Sequence, residues 1–139
     1  GNEYTATRQL DKALMDRFTI IEMDILTDVE ELGLLEYMFP TVDKSELNNI
    51  ANITHLTRVE AQTDNPRITS GVSTRTSVEI AGLLFDGFSL LESADITIYP
   101  QYDATGGVDS ERTFVKQIVQ KFVTDGSEEE LFTDHDIKS

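Results

Sequence analysis

Residues 43–62, Asp43-Lys44-Ser45-Glu46-Leu47-Asn48-Asn49-Ile50-Ala51-Asn52-Ile53-Thr54-His55-Leu56-Thr57-Arg58-Val59-Glu60-Ala61-Gln62, decide the fold class. Leu47, Ile50, Ile53, Leu56 and Val59 recur every third position, which on a helix makes one apolar stripe that drifts slowly round the surface. An acidic cap candidate, Asp43, stands three residues before Glu46 at its start. Nothing in the stretch alternates with the period of two that a strand requires. Helix is the expectation.

Further helices are expected on both sides. Thr27 with Glu30, Thr76 with Glu79 and Ser89 with Glu92 repeat the same cap-and-glutamate spacing, in which the two side chains satisfy each other's backbone amides. The pattern places a helix over about 28–39 with Val29, Leu32, Leu35 and Phe39 inward, and one over about 73–86 with Val78, Ala81, Leu84 and Phe85 inward. A short one is expected over about 89–98. Another, over about 109–123, carries Phe114, Val115, Ile118 and Phe122, with Asp109 as its cap. Pro40, Pro66 and Pro100 follow candidate helices and stop them, lacking an amide and clashing with the preceding turn. Gly87 suits a left-handed helix end. Residues 63–71 and 100–107 are turn-rich loops, and 125–139 read as a solvated acidic tail that is disordered, with Leu131 and Phe132 as its only docking side chains.

Composition excludes several classes of function. The chain has 139 residues, enough for one core. Eleven Lys and Arg against 26 Asp and Glu give a net charge of −15. The cations form no stripe, so neither nucleic acid nor an anionic membrane is an expected partner. No apolar run approaches the roughly 20 residues that span a bilayer, and no secretion signal is read at the start. Without cysteine there is no disulfide, thiolate metal site or thiol nucleophile. A cytoplasmic location is expected. Asn52-Ile53-Thr54 matches a glycosylation triplet, but inside a helix it reads as structural.

Upstream, Gln9-Leu10-Asp11-Lys12-Ala13-Leu14-Met15-Asp16-Arg17-Phe18 reads as a short helix. It runs into the strand-like Thr19-Ile20-Ile21-Glu22-Met23-Asp24 with an arginine at the junction. A lone strand leaves its ladder groups unpaired, so it needs a partner sheet. Some sixty residues on, Val72-Ser73-Thr74-Arg75 opens an apolar helix that is followed by Gly87-Phe88-Ser89.

Taken in order, these two motifs resemble the end of the ATPase core and the lid of AAA+ ATPases of the MoxR type. That branch includes the cobaltochelatase ATPase subunit and the ATPases that activate rubisco and nitric-oxide reductase. The resemblance covers about residues 4–123. It implies a mainly α chain: residues 1–26 as one helix and one strand left over from an α/β core, and 27–124 as a lid bundle of four to five helices. It implies that Arg17 is an arginine finger acting in trans on a neighbouring subunit's nucleotide. Arg75 would be the sensor-2 arginine that contacts phosphates, and Arg8 a second interfacial arginine. ATP and magnesium are implied as cofactors of an intact parent and neither for this chain alone, with a homo-oligomeric ring, a hexamer, and a remodelled or metal-activated protein as partners. The eight residues before Gln9 hold no phosphate-binding loop. No Gly-x4-Gly-Lys-[Ser/Thr] occurs anywhere, and no strand ends in Asp-Glu to hold magnesium. The chain by itself is therefore not expected to hydrolyse ATP.

Plainer readings stand beside these. Arg17 also suits a solvated helix end, where its charge favours the C-terminal dipole. Arg75 also suits an i,i+4 pair with Glu79, and Arg8 a solvated surface. Asp134-His135-Asp136 offers metal-ligand atoms, but neighbours in one flexible segment rarely converge on one ion. His55 reads as a structural residue, and Ser73 and Ser77 lack a spaced base. The rival functions are an acidic helical module that binds a basic protein without catalysis, and a two-carboxylate hydrolase for which no pair of acids stands out.

Overall fold

The computed structural model describes residues 26–135, with side chains through Val123. The expected helix and strand of residues 9–24, together with Arg8 and Arg17, lie outside the described residues. Five α-helices lie within them: α1 Asp28–Met38, α2 Lys44–Ala61, α3 Thr74–Phe85, α4 Leu90–Thr97 and α5 Glu111–His135. Short 3-10 turns occupy Tyr99–Gln101 and Gly107–Asp109. No strand occurs among the described residues, so the chain is mainly α there.

The caps set the helix starts. The Glu30 amide donates to Thr27 Oγ1 at 3.1 Å while the Thr27 amide donates to Glu30 Oε1 at 2.9 Å, a complete reciprocal box. Ser89 and Glu92 repeat it at the start of α4. Asp43 caps α2 but accepts from the Ser45 amide and hydroxyl rather than pairing with Glu46. These two bonds, led by the backbone one, hold the Asp43 carboxyl below its usual range.

Two caps differ from the sequence reading. The α3 cap is Ser73, whose hydroxyl accepts from the Thr76 amide, so Thr76 is the third residue of the helix and not its cap. Helix α5 begins after Ser110, whose hydroxyl accepts from the Thr113 amide, while Asp109 belongs to the preceding 3-10 turn. In both cases a serine with extended backbone competes with the other candidate and takes the cap. Helix α5 also continues through Gly126 to His135, beyond the end expected near 123. One glycine costs a helix interior only about 1 kcal/mol.

Helix α1 packs on α2 and α3, α2 also lies against α3 and α5, and α4 bridges α3 to α5. The core between them holds Leu35, Met38, Phe39, Leu47, Ile50, Ile53, Ile80, Ala81, Val115 and Val119. Each aliphatic side chain so buried contributes roughly 1.5–3 kcal/mol. Phe39 and Phe85 close one end with ring centroids 6.2 Å apart.

The expected stripe departs from this core in two places. Val29 is 75% exposed, and Leu56 and Val59 face solvent as well. A three-residue step falls about 60° short of a full turn, so the α2 stripe leaves the core by its fourth repeat. Thr54 and Thr57 take over the inward face there. Gly87 ends α3 at φ +103°: its amide donates to the Leu84 carbonyl and that of Phe88 to the Leu83 carbonyl, a complete Schellman motif.

Candidate functional site

The polar half of the α2 face meets the starts of α1 and α3, and there the chain buries charge. Glu31 sits one turn into α1, on the side shared by Leu35 and Met38, and is 1% exposed. Arg58, in the last turn of α2, reaches it with Nη1 3.2 Å from Glu31 Oε1. The same nitrogen donates to the Leu26 carbonyl at 3.3 Å, Nε donates to the Val72 carbonyl at 2.9 Å, and Nη2 donates to Thr74 Oγ1 at 3.0 Å. Thr74 in turn donates to Glu31 Oε1 at 3.0 Å, and Ser77 donates to Glu31 Oε2. Every oxygen of the carboxylate is thus met by a donor, the condition under which a charge is tolerated away from water.

The loop before α3 is drawn onto α2 by the same group of residues. The Val72 amide donates to Thr57 Oγ1 at 2.9 Å. Gly71 lies so close to α2 that a Cβ there would fall 2.6 Å from the Arg58 Cα. Beside this contact a cleft of about 430 Å³ opens, lined by Arg58, Gln62, Ser70, Ser73 and Gln101 among others. A second, of about 440 Å³, lies between Arg67 and the start of α5. Arg67 closes one wall by stacking over the Phe114 ring at 5.2 Å.

Arg75 is the second residue of α3, exposed, and directly follows the anchored Thr74. It stands in the first turn of a helix, where the positive end of the dipole favours an anion. Glu79, its alternative partner from the sequence, is exposed on the same helix. Arg8 and Arg17 lie outside the described residues. His55 is half-buried within α2, as a structural residue would be. Ser73 is spent as a cap. Ser77 has a carboxylate acceptor in Glu31, but both are sealed from solvent and offer no approach for a substrate. The side chains of Asp134, His135 and Asp136 lie beyond those described. Among the described residues no cluster of three or more His, Asp or Glu side chains is placed to hold a metal. No described helix is long and apolar enough to cross a membrane.

Sequence reasoning missed the Glu31–Arg58 pair. One signal was available: each is a charged residue on the buried stripe of its own helix, and the two charges are opposite.

Comparison with protein-family models, with curated proteins and with solved structures gave no match.

Proposed function

We propose that residues 27–124 are the helical lid of an AAA+ ATPase resembling the MoxR type, preceded by the end of its α/β core and followed by an acidic tail. In the intact ring, ATP hydrolysis would be coupled to remodelling or metal activation of a partner protein. The observation that supports this reading is the placement of Arg75. It is exposed in the first turn of α3, and that turn is held by the Ser73 cap and by Thr74 and Ser77 on buried Glu31. A guanidinium so placed suits a nucleotide's phosphates.

The residues present fit one part of a nucleotide site. Arg75 supplies a phosphate contact. The phosphate loop and the carboxylates for magnesium are absent from the sequence, so in this proposal the rest of the ATPase supplies them. Arg17 would act across the subunit boundary on charge building at the γ-phosphoryl group, where such an arginine is worth roughly 10³–10⁵ in rate.

The test is made in a full-length ATPase that contains these residues. Arg17→Ala should abolish hydrolysis while nucleotide binding is retained, and Arg75→Ala should weaken both. Wild-type turnover in the two variants discards the reading. The rival, an acidic module for a basic protein, draws on the −15 charge. It requires association that slows steeply with salt and ignores both arginines.

A further inference from the structure

Four acceptors from two stretches of chain meet on the Arg58 guanidinium: the carbonyl of Leu26 and the carboxylate of Glu31 at and just before the start of α1, and the carbonyl of Val72 and the hydroxyl of Thr74 at and just before the start of α3. A guanidinium is flat, and its donors point in fixed directions. Shifting one acceptor turns the plane and disturbs the others.

We propose that Arg58 is the positioning residue of Arg75, transmitting displacement of the chain at Leu26 to the first turn of α3. The role it gives Arg75 rests on the lid reading above; the mechanical link does not. Residues on either side of Leu26 belong to different units in that reading, and Arg58 is the side chain that touches both the junction and the helix bearing Arg75. A lysine at 58 would keep the charge and lose the fork, so it would satisfy one acceptor well and release the rest.

Amide hydrogen exchange on the 139-residue chain tests the link, with no nucleotide present. Thr27→Ala loosens the chain next to Leu26, and the readout is the Ser77 amide, which bonds to the Ser73 carbonyl. Ser73→Ala loosens the start of α3, and the readout is the Glu31 amide, which bonds to the Thr27 carbonyl. Coupling between two sites is reciprocal, so each substitution should raise exchange at the far amide by roughly fivefold or more. The Ile98 amide, bonded to the Ala94 carbonyl in α4, should not change. Glu31 also bonds Thr74 and Ser77 directly, so in an Arg58→Lys background both far effects should fall well below their size with Arg58 present. Should that variant not fold, Thr74→Val, which cuts the arm to α3 together with the Thr74–Glu31 bond, should diminish them instead. Far effects that are missing from the wild-type background, that persist undiminished in the Arg58 and Thr74 variants, or that Ile98 shares equally would each overturn the proposal. Because no nucleotide enters, failure here leaves the lid reading intact, and failure of the ATPase test leaves the link intact.

Discussion

Arg58 Nη1 lies 3.2 Å from Glu31 Oε1, joining the last turn of α2 to the first turn of α1. The two members are not equally buried. The Glu31 side chain is 1% exposed and that of Arg58 12%. Removing the cation should therefore hurt more than neutralising the anion. Arg58→Met leaves a carboxylate sealed in the core and should cost about 3–5 kcal/mol, a large part of the stability of a small domain. Glu31→Gln leaves Arg58 its three other acceptors and a path to water, and should cost less. Urea denaturation of the two variants checks the order.

Gly71 and Gly33 should respond to alanine with opposite signs. At Gly71 the added methyl meets the backbone and Cγ of Arg58 at 2.6–2.7 Å, so α2 and the loop must part. Overpacking of this kind costs about 1–3 kcal/mol. Gly33 lies exposed inside α1 with open space around it. There alanine should stabilise by about 0.5–1 kcal/mol, because it has less chain entropy to lose. Thermal melts of the two variants should move in opposite directions.

Tyr99 and Tyr102 are both buried, yet only one hydroxyl is bonded. Tyr102 donates to the Ser70 carbonyl at 2.8 Å, while Tyr99 finds no partner among the described residues. Tyr102→Phe should cost about 1 kcal/mol, and Tyr99→Phe should be neutral or stabilising. Burial first, and then Asp95 and Glu111 respectively, push both phenols up to about 12. An unfolded chain releases the same protons near pH 10.0. Above that pH the unfolded state binds fewer protons than the folded one, so stability is intact below pH 10 and falls between about pH 10 and 12. Denaturation midpoints measured across this window should decline, and less so in the double phenylalanine variant.

Ser110 and Asp109 compete for the start of α5, and single substitutions separate them. Ser110→Ala removes the acceptor for the Thr113 amide and should destabilise by about 1 kcal/mol. Asp109→Ala should change stability by less than about 0.5 kcal/mol, as at an ordinary surface position. Chemical denaturation of both settles the cap by measurement.

Local chemistry made most of the helix starts legible. Thr27 and Ser89 announced α1 and α4 because each cap and its glutamate lie three residues apart in one short window. The errors arose where two good caps stood close together, as with Ser73 and Thr76, and where an interval of three was extended too far, as at Leu56 and Val59. The Arg58 cluster was missed for a different reason. Its partners lie 14, 16, 27 and 32 residues away in the chain. Only the packing of α1, α2 and α3 brings them together. The place of Arg75 in the first turn of α3 was legible because a helix start is local, whereas the residues that immobilise that start are not.

The close approach at Gly71 also yields a fingerprint. A side chain at 71 would strike Arg58, and the Val72 and Thr74 that follow hold the same guanidinium. A glutamate on the core side of one helix, an arginine near the end of the next, then Gly-x-x-Thr-x-x-Ser opening a third therefore stand or fall together. Chains that share this spaced set should share the lock, however far the rest of their sequence has drifted.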